Sequence, residues 1–210
     1  MIPVLLIFIP LLSGLILFAF KSDDGAKSAS LVSSLATLIV SLVGLSMMRD
    51  STSLVLNVDW MPALGSRFRI ELDGMGQIVS LLTAISFPLI FIATYKNSYK
   101  NGNRFYALML LSQAGLMGVF LAKDALLFYF FWELALIPVY FLCSIWGGEK
   151  RIAVTFKFFI YTFLGSLLML VAIIFLYFQA NQSFSIESFY ALKLPYSIES
   201  WLFWLFFLAP

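Results

Sequence analysis

An apolar run of 22 residues, from Ala125 to Trp146, contains a single ionisable carboxylate, that of Glu133. A helix rises 1.5 Å per residue, so this run is long enough to cross the ~30 Å hydrocarbon core of a bilayer. Glu133 would then lie roughly 4 Å from the centre of the membrane. Because a carboxylate is costly there, acids inside membrane helices usually mark the pathway of an ion or a proton. The run therefore predicts a transmembrane helix with a protonatable group near its middle.

Pro138 lies five residues after Glu133 and has no backbone N–H, so the carbonyl of Leu134 loses its helical partner. We expect a kink or a loosened turn there, with water or a neighbouring polar group bonded to the freed carbonyl. The alternative is structural: a protonated Glu133 that only hydrogen-bonds to a neighbouring helix, next to a proline of the kind that is common in membrane helices. The rule for intramembrane charges favours the functional interpretation.

The composition of the chain is typical of a membrane protein with several spans. Hydrophobic residues make up 62% of the 210 residues and charged residues 11%, whereas soluble domains have about 25% charged residues. Histidine is absent and Cys143 is the single cysteine, which excludes an internal disulfide, CxxC and histidine-pair metal sites and the usual iron–sulfur ligand sets. We therefore expect no cofactor and no metal on this chain and, with a net charge of only +2, no nucleic-acid partner.

The apolar runs predict an all-α fold, a polytopic transmembrane helix bundle with six spans and the start of a seventh, in a single domain over residues 1–210. The first run should be a retained span, because no basic residue precedes it as in a secretory signal. The predicted spans are residues 2–20, 29–48, 74–95, 105–122, 125–146 and 152–179, and the partial run is 201–210.

The longest polar segment, Arg49–Asp73, contains two stretches that suggest strands around a Pro62–Gly65 turn. Leu54–Val58 precedes the turn, and Arg67–Leu72 after it alternates polar and apolar residues. A small surface hairpin and an irregular loop are both compatible with this pattern. A second polar segment, Ala180–Ser200, should leave the membrane or lie along its surface.

The basic residues predict the orientation. Of the 13 lysines and arginines, 8 fall on one side of the predicted spans and 5 on the other. Because the side richer in basic residues is cytoplasmic, we expect the N-terminus and the segments Arg49–Asp73 and Ala180–Ser200 to face outside. Asp73, Lys123 and Asp124 lie at the ends of spans, where we expect them to be solvated.

Lys157 is a second ionisable candidate, because it is the sixth residue of the sixth apolar run. It shares one face of the predicted helix with Tyr161 and Gly165. The simpler interpretation is a lysine whose long side chain reaches back to the lipid headgroups. A role in proton uptake is the alternative.

Two stretches of the chain resemble a known family. FLAKDALLFYFFWELALIPVYFLCSIWGG (Phe120–Gly148), followed by KFFIYTFLGSLLML (Lys157–Leu170), is similar to subunit M of bacterial NADH–quinone oxidoreductase, respiratory complex I, whose mitochondrial counterpart is subunit 4. The LDG at Leu72–Gly74 fits the same family. The resemblance covers essentially the whole chain, which corresponds to the N-terminal portion of such a subunit.

The resemblance implies a proton-translocating, antiporter-like subunit in the membrane arm of a bacterial inner-membrane complex, built from inverted helix repeats. Glu133 matches a glutamate that takes part in redox-coupled proton transfer and pairs with a lysine on a later helix. Lys157 matches a lysine at the start of the sixth helix, which implies a role in proton uptake. The implied partners are the L-, N- and K-like hydrophobic subunits and the lipid bilayer, with NADH and quinone handled by other subunits.

Three alternatives differ in function. The first is this subunit of NADH–quinone oxidoreductase, the second a subunit of a multi-component sodium/proton antiporter, and the third a structural half-subunit that conducts nothing. The sequence stops at Pro210, where the family's seventh helix, with its partner lysine, has barely begun. We expect a truncated, split or incomplete reading frame, because an unfinished helix leaves free carbonyls in a bilayer; a short subunit completed by another chain is the other explanation.

Overall fold

The computed structural model describes residues 1–20, 22–47 and 52–208. Eight helices follow one another in this part of the chain, and a β-hairpin joins the second helix to the third. The helices are α1 Ile2–Leu17, α2 Asp23–Ser46, α3 Gly74–Thr94, α4 Gly102–Leu121, α5 Ala125–Trp146, α6 Arg151–Gln179, α7 Ile186–Tyr190 and α8 Tyr196–Phe207, and the strands are β1 Val55–Met61 and β2 Ser66–Glu71.

Three of the long helices begin at a polar residue that caps the first turn. The side chain of Ser22 accepts a hydrogen bond from the backbone N–H of Gly25 at the start of α2. Asp73 accepts one from the N–H of Gly76, at 2.7 Å, at the start of α3. The side chain of Asp124 accepts hydrogen bonds from the N–H groups of Leu126 and Leu127 at the start of α5. Each cap satisfies N–H groups that have no partner within the helix, so the polar residue determines where the helix starts.

Helix α4 is the centre of the bundle and is the most enclosed of the long helices, with extensive packing against α1 and α5. Glycines permit the close approach to α5. A Cβ built on Gly115 would lie 2.7 Å from the Cα of Ala135, and one built on Gly118 would lie 2.2 Å from the ring of Phe131. These distances are below van der Waals contact, so only glycine fits at either position.

The hairpin is antiparallel, with a register from Val55 opposite Glu71 to Met61 opposite Ser66. Gly65 closes the turn with φ +68°, a left-handed conformation that favours glycine. The α4–α5 turn and the start of α7 extend this structure. Bridges join Ile70 to Ala122 and Asp124 to Ser185, and the N–H of Lys123 donates to the carbonyl of Arg69 at 2.9 Å.

We call this assembly of residues 55–71, 122–124 and 183–187 the hairpin platform, and the side of the bundle that carries it the hairpin face. The loops α1–α2, α3–α4 and α5–α6 meet at the opposite face. There, the N–H of Asn103 donates to the carboxylate of Asp23 at 3.0 Å, and Nε1 of Trp146 donates to the carbonyl of Lys100 at 3.0 Å. The segments that the sequence places on one side of the membrane therefore do lie together.

The structure decides between the two interpretations of the first polar segment, since its described part forms a hairpin and not an irregular loop. Among the described residues, five helices, α2 to α6, are long and apolar enough to cross a membrane. The first helix has 16 residues and stops before the predicted end at residue 20, because the N–H groups of residues 18–20 bond to carbonyls three residues back. Helix α8 starts at Tyr196, earlier than the predicted run 201–210, and packs against α6. The count of six spans plus the start of a seventh is thus not confirmed. The predicted boundaries at Met48, Arg49 and Pro210 lie outside the described residues.

Candidate functional site

Glu133 is the ninth residue of α5 and lies near the middle of the helix. Its side chain is half-buried, and its Oε1 atom is fully enclosed by protein. Among the described residues, no group forms a hydrogen bond with that oxygen. A buried carboxyl oxygen without a partner is unusual, because burial without a hydrogen bond costs about 1–3 kcal/mol. One oxygen of the predicted site residue is therefore enclosed without a hydrogen-bond partner in the described part of the chain.

Tyr129 is the polar neighbour of Glu133 on the same helix, one turn towards the hairpin face. Its hydroxyl interacts with the carboxyl of Glu133 and with the hydroxyl of Ser166 on α6. Ser166 is fully buried, and its Oγ donates to the carbonyl of Phe163 at 2.9 Å, which leaves its oxygen free to accept. The sequence analysis missed Tyr129 and Ser166. The four-residue spacing of Tyr129 and Glu133 was an available signal, because such pairs are neighbours on a helix surface.

Pro138 is buried, and α5 continues through it as an uninterrupted helix from Ala125 to Trp146. The carbonyl of Leu134 still lacks the helical N–H that proline cannot supply. This weakened turn begins one residue after Glu133, so the site lies beside a turn in the interior of α5 that lacks a backbone hydrogen bond.

Lys157 is exposed on α6. The rings of Tyr140 and Phe159 lie 5.1 Å apart and set the register of the antiparallel helices α5 and α6. Glu133 is seven residues before Tyr140, so it lies level with Ser166. Lys157 is nine residues from Ser166, or about 13 Å along the helix axis. The structure therefore does not bring the two predicted site residues together.

Apolar cavities flank α5 at the level of Glu133. One, of about 530 Å³, lies between α5, α6, α7 and α8 and is lined by Phe128, Trp132 and Met169 among others. Another, of about 330 Å³, lies between α4, α5 and α6 and is lined by Trp132, Ala135 and Leu136 among others. Apolar walls of this kind keep the dielectric constant low around this part of α5.

The expectation that Asp124 is solvated is wrong. Asp124 is only 3% exposed, because the hairpin platform covers it. Its carboxylate accepts from the hydroxyl of Ser66 and the N–H groups of Arg67, Leu126 and Leu127 at 3.0–3.1 Å. Burial raises the pKa of the Asp124 carboxyl above its ordinary value, although these hydrogen bonds oppose that effect. Asp124 therefore joins the hairpin to the start of α5.

The other ionisable groups of the platform form ion pairs. Lys123 pairs with Asp73, and both side chains are only partly exposed. Neither is freely solvated, contrary to the expectation from the sequence. Arg69 binds both carboxylate oxygens of Glu187 at 2.8 and 2.9 Å and also contacts Glu71 at 3.2 Å. The pKa of the Glu187 carboxyl is held below its ordinary value, mainly by the hydrogen bond from Arg69. These charges are engaged in holding the platform together.

Within residues 1–20, 22–47 and 52–208, no three or more acidic, histidine or cysteine residues lie close enough together to hold a metal ion. The thiol of Cys143 is free and exposed at the opposite face of the bundle.

The helices, the hairpin platform and the enclosed acid of α5 define a multi-pass α-helical membrane protein. Residues 122–209 match the family described as NADH:quinone oxidoreductase/Mrp antiporter, TM. This match covers α5 to α8 and therefore includes Glu133 and Lys157.

Relatives match most of the chain. F(420)H(2) dehydrogenase subunit M of Methanosarcina mazei is 38% identical over 90% of this chain and 39% of its own length. The chloroplastic NAD(P)H-quinone oxidoreductase chain 4 of Mesostigma viride is 35% identical over 97% of this chain and 41% of its own length. NADH-quinone oxidoreductase subunit M of Rhodobacter capsulatus is 35% identical over 76% of this chain and 31% of its own length. The resemblance to subunit M is confirmed over most of the chain. The chain spans about two fifths of the length of such relatives, or less.

Solved structures agree with this assignment. A chain of respiratory complex I from Thermus thermophilus superposes on the whole of this chain with a TM-score of 0.87 and 26% identity, over 43% of that chain. A chain of the Mrp complex from Dietzia sp. DQ12-45-1b superposes with a TM-score of 0.86 over 100% of this chain and 23% of that chain. Its identity is 19%, so it supports the fold alone.

Proposed function

We propose that this chain is a proton-translocating membrane-arm subunit of NADH–quinone oxidoreductase, in which Glu133 takes up and releases a proton as the redox reaction proceeds on other subunits. The observation that carries the proposal is the Oε1 atom of Glu133, which is enclosed in the middle of α5 and has no partner among the described residues. Because Oε1 has no hydrogen-bond partner among the described residues, a proton can be added to or removed from that oxygen without breaking a bond to the protein. A purely structural glutamate would instead be fully hydrogen-bonded.

Tyr129 and the turn at Pro138 support this role. The hydroxyl of Tyr129 lies between the carboxyl of Glu133 and the hydroxyl of Ser166, so it can pass a hydrogen bond from one helix to the other. The free carbonyl of Leu134 offers an acceptor on the other side of Glu133. The two together surround the carboxyl with polar groups in an otherwise apolar region.

Lys157 is proposed as a group on the proton uptake route and not as the direct partner of Glu133. It is exposed and lies about 13 Å further along the helix axis, which is too far for an ion pair. It is close to the end of α6 that carries Lys150 and Arg151, and this is the face that the basic residues predict to be cytoplasmic. The ammonium group of a lysine there would bind water and so favour hydration of the route.

The proposed setting is a large complex in a bacterial inner membrane, with the N-terminus outside and L-, N- and K-like subunits as neighbours. The names of the relatives mention F(420)H(2), NADH and NAD(P)H. Since the electron donor differs while the subunit is alike, we assign donor and quinone binding to other chains and no cofactor to this one.

A subunit of a multi-component sodium/proton antiporter is the second candidate, because the Mrp complex chain superposes on all of this chain. The two candidates differ in the driving force. Proton movement driven by an electron donor without sodium supports the first, and sodium efflux driven by an imposed pH gradient without a donor supports the second.

The test is Glu133→Gln in the assembled complex, in sealed membrane vesicles. The substitution preserves shape and hydrogen bonding but removes ionisation, so donor-driven proton uptake should fall by at least about tenfold while the amount of assembled complex stays unchanged. Glu133→Asp keeps the charge and should be milder.

The matched control is Glu149→Gln, which removes a carboxylate that is exposed at the opposite face. This variant should pump like the wild type. If Glu133→Gln assembles and pumps normally, Glu133 is a packing residue and the proposal is wrong.

A further inference from the structure

Helix α2 buries a face made of hydroxyl groups where most bundle helices bury leucine. Its buried residues recur every three or four positions, as one face of a helix requires. With Ala26 and Gly44 at the two ends, the residues between them on this face are Ser30, Ser33, Ser34, Thr37 and Ser41. A stripe of small residues lets helices pack closely and does not by itself indicate a ligand.

The independent observation is Gln113 on α4, which is fully buried. Neither Oε1 nor Nε2 of its side chain has a hydrogen-bond partner among the described residues. The same is true of the hydroxyl oxygens of Ser33 on α2 and Ser80 on α3, which are also buried. Four polar atoms on three helices are thus enclosed without a protein partner.

Neighbouring hydroxyls are already bonded to the backbone. Thr37 donates to the carbonyl of Ser33 at 3.0 Å, and Ser112 donates to the carbonyl of Leu108 at 3.0 Å. Because such bonds are within reach of any serine or threonine in a helix, the hydroxyls of Ser33 and Ser80 are exceptions. An interaction outside the helix would explain why they are not turned towards the backbone.

The register of the helices brings Gln113 and Ser33 to the same level. The hydrogen bond from Asn103 to Asp23 aligns the starts of α4 and α2, and Gln113 and Ser33 each lie ten residues further on. Since α2 and α4 pack against each other, the two side chains occupy one layer near the middle of the bundle.

Ser80 lies close to that layer. Gly76 of α3 approaches the carbonyl of Phe120 of α4, where a built Cβ would be 3.2 Å from the oxygen. Ser80 is four residues from Gly76 and Gln113 is seven residues from Phe120, so Ser80 is offset from Gln113 by about three residues, or roughly 5 Å.

This cluster is separate from the site of Glu133. Gly115 faces α5, where it approaches Ala135. Gln113 is two residues earlier, which on an α-helix turns its side chain by about 200°, to the side away from α5. The cluster of Gln113, Ser33 and Ser80 therefore lies between α2, α3 and α4, and Glu133 lies between α5 and α6.

The chemistry of the unpaired atoms identifies the ligand. The amide of Gln113 needs an acceptor for its N–H₂ group and a donor for its oxygen. A cation would bind the oxygens and leave the N–H₂ group unpaired, whereas a water molecule both donates and accepts. Buried waters typically make about three hydrogen bonds to polar groups that lack protein partners. We infer that α2, α3 and α4 enclose an ordered-water site, in which water bridges the amide of Gln113 and the hydroxyls of Ser33 and Ser80.

The test is a cryo-EM map, at a resolution that shows ordered water, of the full chain in the complex that its membrane contains. The expected result is density about 2.7–3.2 Å from Nε2 or Oε1 of Gln113 and from Oγ of Ser33. A direct hydrogen bond from Gln113 to a protein group, with no additional density, would overturn the inference. Density coordinated only by oxygens, at cation distances, would also overturn it.

Two variants make the test specific to Gln113. Gln113→Leu fills a similar volume but makes no hydrogen bonds, so the density should disappear. Ser112→Ala removes the adjacent buried hydroxyl, which is already bonded to the backbone, and should leave the density in place. If the density persists in Gln113→Leu, the water belongs to other groups and the inference fails. Should Gln113→Leu not accumulate, the wild-type map decides by itself.

Discussion

The hairpin platform and the middle of α5 use carboxyl groups in opposite ways. In the platform, Asp124 accepts four hydrogen bonds and Glu187 forms an ion pair with Arg69, and Asp73 beside it pairs with Lys123 of the platform. In α5, an oxygen of Glu133 is equally enclosed but has no partner among the described residues. Burial alone therefore does not distinguish a structural acid from a candidate functional one. The number of hydrogen bonds and ion pairs that the acid forms distinguishes them.

This difference gives a rule for the effects of substitution. Removing a fully bonded carboxyl leaves several donors unsatisfied and should reduce stability. Replacing a carboxyl that has an unpaired buried oxygen by an amide of the same shape should leave stability nearly unchanged and affect mainly transport. Variants of Asp124, Arg69 and Glu187 test the platform side of the comparison, and Glu133→Gln and Gly115→Ala test the α5 side.

The largest loss of stability is expected for Asp124→Ala. It removes the cap of α5 and leaves the hydroxyl of Ser66 and three N–H groups without an acceptor, which should lower the free energy of unfolding by about 2–4 kcal/mol. Thermal unfolding of the purified protein in detergent measures the change. Asp59→Ala is the control, because Asp59 is exposed and bonds only to Arg67. An Asp124→Ala variant that is stable but does not pump would contradict the comparison, because Asp124 would then act in transport as is proposed for Glu133.

A smaller loss is expected for Gly115→Ala. The new methyl group would overlap the backbone of Ala135, which no rotation relieves, and such overpacking costs about 1–3 kcal/mol. Because Ala135 is two residues from Glu133, this variant should also impair proton transport, unlike a platform variant of similar stability. Gly148→Ala serves as the control, since nothing lies within 4 Å of its built Cβ. Normal pumping in a destabilised Gly115→Ala protein would show that the position of Glu133 is not critical.

The pair of Arg69 and Glu187 should contribute less. A double-mutant cycle with Arg69→Ala and Glu187→Ala is expected to give a coupling energy of about 0.5–1 kcal/mol, because the pair is bidentate but Glu187 is largely exposed. The coupling should weaken as salt is added. A cycle with no coupling at low salt would remove this pair from the platform's stabilising contacts.

The smallest effect is a dependence of the stability of the folded protein on pH below about 4.5. The pKa values of Asp73 and Glu187 are lowered in the folded protein, so their contribution is present above their ordinary values and is lost as the pH falls through the lowered ones. The raised pKa of Asp124 has the opposite effect on stability, since protonation of that group in acid favours the folded state. The difference in melting temperature between wild type and Glu187→Gln should therefore disappear in acid. A difference that grows as the pH falls would contradict this.

Local patterns in the sequence predicted much of the fold. The spans from α3 to α6 agree with the helices to within a few residues, because each is a long apolar run between polar residues that cap or interrupt it. The hairpin was one of two alternatives, since its polar and apolar alternation is short. The sequence also predicted that Glu133 lies inside a membrane-length helix, because a lone acid in an apolar run is a local signal, and its role in proton transfer stays a prediction.

The parts that failed depend on distant partners. Asp124 looks like an exposed residue at a helix start, but Ser66, which bonds to it, is 58 residues away. Glu187 looks like an ordinary surface acid, but its partner Arg69 is 118 residues away. Gln113 is visible as a polar residue in the fourth span, but nothing local reveals that its amide is unpaired. Such burial and pairing are properties of the packed structure.

Helix α5 is held at both ends. Asp124 ties its first turn to the hairpin platform, and Nε1 of Trp146 ties its last turn to the carbonyl of Lys100 at the opposite face. A helix restrained at both ends cannot slide or tilt without breaking one of these bonds. Bending remains, and it concentrates where a hydrogen bond is missing, at the turn before Pro138. Glu133 lies next to that turn, so a bend of α5 would change the direction of its carboxyl while both ends of the helix stayed in place.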